Sequence, residues 1–211
     1  MRIFPLFIFF FFSVIITNAQ IKAVTTNGDE VILNSDGTWR YVEEVTKIGK
    51  IIDTNKTVFL KNSDATFQVK SNKVENISIY INPKKWSFEK GKSSDAAEFE
   101  FTLKEKDAGG IFISERIDMP IENLKAVAFE NAKSAAPDIT IIKEEYRSVN
   151  EIKLFFMQMN GTVQGVKFTY LGYYFSGPKG TVQLLAYTSQ NLLNEYQKEM
   201  EAFLNGMVVT Q

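Results

Sequence analysis

The stretch that decides the fold is residues 139–188, which read ITIIKEEYRSVNEIKLFFMQMNGTVQGVKFTYLGYYFSGPKGTVQLLAYT. Runs rich in β-branched and aromatic residues are separated here by short turn signals. The pattern predicts four strands, at 139–148, 152–159, 166–175 and 181–188. Connections this short join antiparallel neighbours, so the stretch predicts an antiparallel sheet.

The flanking segments complete an α+β pattern. Residues 76–82 and 97–104 alternate as strands do, and Gly109-Gly110 is expected to turn the second of them into a strand at 111–117. A helix is predicted from Pro120 to Ser134, and an amphipathic helix over 190–205 closes the chain. The predicted fold class is therefore α+β, an antiparallel β-sheet flanked by helices, without the strand–helix alternation of a nucleotide-binding parallel sheet.

The segment before residue 57 divides into three parts. Residues 1–19 have a positive start, an apolar run and a small residue, Ala19, at the end, which predicts a signal peptide. Residues 20–43 alternate around an Asn27-Gly28 turn and predict a three-stranded N-terminal β-meander. The polar residues 44–56 predict a linker, and the main α+β domain is expected over 57–211.

The signal peptide predicts an extracytoplasmic protein, either periplasmic or secreted. The alternative is an uncleaved anchor, but the apolar run 3–16 would span only about 21 Å as a helix, against a bilayer core of about 30 Å. Cleavage after Ala19 would leave a soluble chain with no stable membrane insertion. Because Gln20 and not Cys follows the cleavage site, lipid anchoring is not expected.

The composition narrows the possible chemistry. The 211 residues include no His and no Cys, which excludes Ser-His and Cys-His nucleophiles, disulfides and zinc sites built from those ligands. Carboxylates, Lys and Tyr remain as catalytic groups. Beyond residue 19 there are 23 basic and 25 acidic residues, so nucleic acid is not an expected partner. No cofactor is indicated.

Several features, taken in order, resemble the Mog1/PsbP-like fold, which includes the DcrB-type envelope proteins of bacteria. They are the strand at 78–82 that ends at Pro83 and closes on Trp86, the hairpin that starts at 97–103, the helix after Pro120, the strand at 170–175 and the C-terminal helix. The resemblance covers about residues 57–208. It implies an accessory or binding protein, because members of this fold are mostly not enzymes. The meander resembles small modules at the start of other exported bacterial proteins.

Six aromatic or apolar residues are candidates for a ligand or partner surface. They are Trp39, Tyr41, Tyr170, Tyr173, Tyr174 and Met200. The first two share a face of the meander, which either covers the main domain or forms a separate docking module. The other four either belong to the core or line an apolar pocket between the sheet and the C-terminal helix.

The acidic residues suggest no catalytic or metal site. Glu144 and Glu145 are adjacent in a predicted strand and therefore point to opposite faces. Glu145 and Arg147 share a face and are interpreted as a surface ion pair. Glu98 and Glu100 are expected on a solvated sheet face, with a hard-cation site as the alternative.

These patterns favour a non-enzymatic, exported accessory or binding protein of the cell envelope. Its partner would be another envelope or secreted protein, held by the meander or by an exposed sheet face. The alternative hypothesis is a carrier of a small apolar ligand, held near Tyr170, Tyr174 and Met200. A carboxylate-based hydrolase is a third hypothesis, for which the sequence contains no recognisable motif.

Overall fold

The structure, a computed structural model, describes residues 21–24, 30–33, 37–41, 52–92 and 96–210 in two units, Met1–Ile51 and Ile52–Gln211. In the first unit, β1 (Ile21–Val24), β2 (Glu30–Leu33) and β3 (Trp39–Tyr41) form an antiparallel sheet in the order β1-β2-β3. The predicted three-stranded meander is therefore confirmed. The predicted signal peptide and the Asn27-Gly28 turn lie outside the described residues.

The second unit consists of strands and two α-helices. Its strands are β4 (Thr54–Phe59), β5 (Phe67–Lys70), β6 (Ile77–Ile81), β7 (Trp86–Lys90), β8 (Ala97–Leu103), β9 (Ala108–Glu115), β10 (Thr140–Val149), β11 (Ile152–Val163), β12 (Val166–Gly177), β13 (Gly180–Ser189) and β14 (Met207–Val209). Its helices are α1 (Ile121–Ala135) and α2 (Leu193–Leu204), the latter preceded by a 3-10 turn at Gln190–Leu192.

Eight of these strands form one sheet in the order β4-β10-β11-β12-β13-β9-β8-β7. All its neighbouring pairs are antiparallel except β4 and β10, which are parallel. A second sheet has the order β14-β6-β5. The predicted α+β class is confirmed. Strand β4 begins at Thr54, inside the segment that the sequence predicts to be a linker.

Side chains that alternate across the large sheet divide the hydrophobic core into two parts. One part, the α2-side core, lies against α2 and the small sheet, and it includes Ile79, Trp86, Phe112, Tyr173, Leu184, Met200 and Phe203. The other, the α1-side core, lies against α1, and it includes Leu124, Ala128, Phe155, Met157 and Tyr174. Strand β12 contributes to both parts because successive residues of a strand point to opposite faces.

Two glycine-containing pairs that were predicted to lie between strands lie inside strands instead. Gly109-Gly110 belongs to β9, and Asn160-Gly161 belongs to β11. A Cβ at Gly110 would lie 2.7 Å from Cε1 of Phe203, so the glycine lets the α2 side chain reach the sheet. A Cβ at Gly161 would lie 3.1 Å from Cβ of Ala136, just after α1. Both glycines therefore allow close packing of a helix end or side chain and do not reverse the chain.

We predict that Gly110→Ala destabilises the domain by about 1–3 kcal/mol, because the new methyl group overlaps the Phe203 ring. Urea unfolding of the variant, followed by circular dichroism, measures this loss. In a Phe203→Leu background the same substitution should cost clearly less, since the smaller side chain can yield. Equal losses in the two backgrounds would show that the ring contact is not the cause.

Candidate functional site

The aromatic residues predicted to line one pocket lie on opposite faces of the sheet. Tyr173 and Met200 belong to the α2-side core, whereas Tyr174 belongs to the α1-side core and Tyr170 packs against its margin. The backbone of β12 separates the two groups. The prediction of a single pocket lined by Tyr170, Tyr174 and Met200 is therefore wrong.

The interface between α2 and the sheet is filled by protein side chains. Met200 is fully buried, and the Phe203 ring stacks on Trp86 with 4.4 Å between centroids. Phe203 also contacts Phe101, with the ring centroids 4.9 Å apart. An apolar ligand would have to displace these rings, so this interface is core and does not support the ligand-carrier hypothesis.

Two tyrosines of β12, Tyr173 and Tyr174, are buried, and Tyr174 also lines a cavity of about 290 Å³ beside the start of α1, together with Ile121 and Phe155. Tyr174 packs beside Phe155 under α1, and its burial raises the pKa of its hydroxyl far above the ordinary value. Burial also raises the pKa of Tyr173, although the nearby Arg147 guanidinium acts in the opposite direction. Tyr170 is half-buried against Tyr187, with 6.0 Å between ring centroids. For Trp39 and Tyr41 the structure describes the backbone of β3 only.

Glu145 and Arg147 form an ion pair, but a buried one, so the prediction of a surface pair is wrong. Nε of Arg147 donates to Oε1 of Glu145 at 2.6 Å, and the guanidinium carbon lies 3.6 Å from the centroid of the Phe156 ring. Nη1 of Arg147 donates to Oη of Tyr173 at 3.3 Å, and that hydroxyl donates to Asn205 at the end of α2. The pair thus connects the sheet to α2.

As predicted, Glu144 points to the other face, where it pairs with Lys125 of α1. The two adjacent carboxylates therefore serve different helices and cannot act on one reacting centre. Each pair holds a helix to the sheet, which is a structural role.

An exposed aromatic cluster lies between one edge strand of the small sheet and one edge strand of the large sheet. Strand β5 ends the small sheet and β7 ends the large one. Phe67 of β5 and Phe88 of β7 have ring centroids 5.6 Å apart and are 45% and 39% exposed. Phe99, which is half-buried, meets Phe88 edge-on at 6.0 Å. We call these three residues the aromatic mouth.

A cavity of about 630 Å³ continues from the aromatic mouth. It is lined by Asn72, Lys73, Lys90, Gly91, Lys92, Ala97, Glu98 and Phe99. Phe99 belongs to both features, so the cavity and the mouth are adjacent. We call the cavity the lysine pocket, because three of its eight lining residues are lysines.

A β-bulge places a buried carboxylate at the floor of the lysine pocket. The pairing of β8 with β9 shifts register between Ala97 and Phe99, so Glu98 leaves the regular alternation. Its carboxylate accepts hydrogen bonds from the hydroxyls of Ser71 and Ser114 and from the backbone N–H of Asn72. Glu98 is therefore buried and does not share a solvated face with Glu100, contrary to the sequence-based expectation.

Several charged groups of the lysine pocket already have partners. Within the described residues, no group of three or more His, Cys, Asp or Glu side chains could hold a metal ion. The Glu98 carboxylate is occupied by three donors, and Nζ of Lys92 pairs with Glu89. Among the residues that the structure describes, neither helix is long and apolar enough to span a membrane.

Comparison with solved structures identifies the fold of the second unit. Cyanobacterial PsbP (CyanoP) from Synechocystis sp. PCC 6803 is similar with a TM-score of 0.53 at 12% sequence identity, over 68% of this chain and 92% of that one. This is the Mog1/PsbP-like fold. LpqN from Mycobacterium tuberculosis is similar with a TM-score of 0.50 at 11% identity, over 69% of this chain and 90% of that one. The predicted Mog1/PsbP-like resemblance is confirmed.

Comparisons of sequence alone find no match among protein-family models or curated proteins. The Mog1/PsbP-like assignment therefore rests on three-dimensional similarity and on the order of elements. Within this fold, sequence reasoning did not single out Phe67, Phe88, Lys73 or Lys90. The alternation of Trp86, Phe88 and Lys90 was a usable signal for β7, but no pattern within one strand shows that the strand lies at a sheet edge.

We predict that Glu145→Gln lowers stability at pH 7 by about 1–3 kcal/mol, because a charged hydrogen-bonding partner of Arg147 is lost. Burial raises the pKa of Glu145, but hydrogen bonds from Arg147, Asn55 and Lys143 lower it by more, so the pKa lies below the ordinary 4.5. The carboxylate therefore stabilises the fold above pH 4.5, and this stabilisation is lost as the pH falls through the folded-state pKa.

Urea unfolding of the wild type and the variant between neutral and acidic pH measures this effect. The stability difference should be largest at neutral pH and shrink below pH 4.5. Glu89→Gln, which removes the exposed pair with Lys92, is the matched control and should change stability little at any pH. A difference between wild type and Glu145→Gln that grows on acidification would contradict the assignment.

Proposed function

We propose that this protein is a non-enzymatic accessory protein of the extracytoplasmic space, which acts by binding another envelope or secreted protein. Export is proposed because residues 1–19 have the pattern of a signal peptide that would be cleaved after Ala19. LpqN, which shares the fold, is involved in cell envelope biogenesis. The absence of His and Cys from the sequence leaves few groups for catalysis.

The observation that carries this proposal is the aromatic mouth between the open edges of β5 and β7. An edge strand presents unpaired N–H and C=O groups, and proteins normally cover or charge such edges. Here two edges lie side by side, with exposed Phe67 and Phe88 between them. Exposed rings beside free backbone groups are the features by which an extended segment of a partner adds to a sheet.

Other apolar surfaces of the domain are weaker candidates for a partner-binding site. Tyr170 and Tyr187 lie on the face of the large sheet beside α1, where both are half-buried and pack on one another. Val166 is 46% exposed, but it lies in the hairpin between β11 and β12, inside the eight-stranded sheet. Only at the mouth do exposed rings coincide with two sheet edges among the described strands.

The proposed contact is therefore strand addition, in which the partner's backbone pairs with β5 or β7 while its side chains meet the mouth. Single exposed hydrophobic residues are ordinary on protein surfaces. A pair of phenylalanines in contact across two sheets is different, because together they present one continuous apolar surface. Aromatic residues are also enriched among the positions that dominate binding energies at protein interfaces.

We predict that a photoreactive benzoylphenylalanine at position 67 or 88, in protein produced in its own host, forms a covalent adduct with one discrete partner protein. The same group at position 166 is the matched control, since Val166 and Phe67 are almost equally exposed, at 46% and 45%. Adducts formed equally from all three positions, or from none, would contradict the proposed binding surface.

A further inference from the structure

Positively charged side chains converge on the loop between β5 and β6, next to the aromatic mouth. Lys73 lies in this loop and lines the lysine pocket with Lys90 and Lys92. Nε of Arg116 donates to the backbone oxygen of Lys73 at 2.6 Å. Lys179, from the turn between β12 and β13, pairs with Glu75 of the same loop at 3.0 Å.

Four carboxylates among the described residues at this end of the domain are already engaged. Glu75 pairs with Lys179, and Glu89 pairs with Lys92. Glu98 is buried and accepts three hydrogen bonds from neutral donors. Glu100 accepts a hydrogen bond from the backbone N–H of Lys92 at 2.8 Å.

Two cations consequently remain without an acidic partner at this end. Among the described residues, Lys73 and Lys90 have no carboxylate within salt-bridge distance. Lys73 and Lys90 are exposed on the two sides of the same cavity. This local excess of positive charge contrasts with the net charge of −1 of the whole chain. It favours association with a negatively charged group and disfavours a basic one.

A lysine of the pocket and a phenylalanine of the aromatic mouth also point to the same face of β7. Phe88 and Lys90 lie two residues apart on β7, so both side chains point to the same face of that strand. An extended segment that pairs with β7 presents every second side chain to this face. A segment carrying apolar and acidic side chains would thus meet Phe88 first and the lysine pocket next.

We propose that the partner contributes an extended acidic segment, whose apolar side chains cover the aromatic mouth and whose carboxylates are bound by Lys73 and Lys90. This inference rests on the proposed function and specifies the chemistry of the bound segment. An anionic membrane surface is the other anionic occupant to test. It is disfavoured because a lipid surface offers no backbone groups to the edges of β5 and β7.

Fluorescence anisotropy with three labelled peptides tests the proposal. The probes are extended peptides that repeat Glu-Val, Thr-Val or Lys-Val. The Glu-Val peptide should bind at least about tenfold more tightly than the Thr-Val peptide and should weaken several-fold as salt rises from about 0.05 to 0.5 M. The Lys-Val peptide should not bind. Equal affinity for the three peptides, or no binding of the Glu-Val peptide, would overturn the proposal.

A charge-reversal variant with a matched control locates the binding site. Lys73→Glu with Lys90→Glu should weaken Glu-Val binding by about tenfold or more. The control, Lys56→Glu with Lys167→Glu, changes the net charge equally at exposed lysines of β4 and β12 and should leave the affinity within about twofold. Equal losses in both variants would show a non-specific charge effect and would overturn the assigned site. Circular dichroism confirms that both variants are folded.

Two further measurements separate this inference from the proposed function. Vesicles containing phosphatidylglycerol that bind the wild type, without any binding of the Glu-Val peptide, would replace the protein partner by a membrane. Position 67 adducts that persist unchanged after Lys73→Glu and Lys90→Glu would retain the binding surface but overturn its acidic specificity. Loss of those adducts in the double variant, but not in the control, supports both.

Discussion

The eight-stranded sheet is the constraint on which the rest of this structure depends. No side chain crosses its backbone, so the alternation along β12 assigns Tyr173 to the α2-side core and Tyr174 to the α1-side core. Each face is then closed by its own helix, through Met200 and Phe203 on one side and Leu124 on the other. The space between α2 and the sheet is filled by side chains, and we propose that another molecule adds at the sheet edges.

Much of the fold could be predicted from the sequence, because its long elements have strong local signals. The strands after α1 have clear turn residues between them, and both helices have an apolar stripe, so their order was predicted correctly. A glycine in the sequence can indicate either a turn or a site of close packing. Gly110 is of the second kind, because it allows the close approach of Phe203, which is distant in sequence. Strand β14 escaped prediction because it has three residues and exists only through pairing with β6.

The candidate site was harder to predict because it is created by tertiary structure. Phe67 and Phe88 are separated in sequence and become neighbours only when β5 and β7 each end a sheet. The alternation of Glu98 with Glu100 predicted that Glu98 is exposed to solvent. A β-bulge instead directs its side chain into the protein interior. The sequence did predict the fold correctly, and the aromatic mouth beside the lysine pocket is the location that we propose for binding.

Hydrogen–deuterium exchange of the protein, with and without saturating Glu-Val peptide, tests the central claim that the open edges bind an added strand. Free edge amides exchange quickly and become protected when they pair with a new strand. The account predicts that protection increases in β5 and β7, at residues 67–70 and 86–90, and is unchanged in β4, which ends the large sheet on its other side. Protection in β4, or an even increase across all strands, would contradict it.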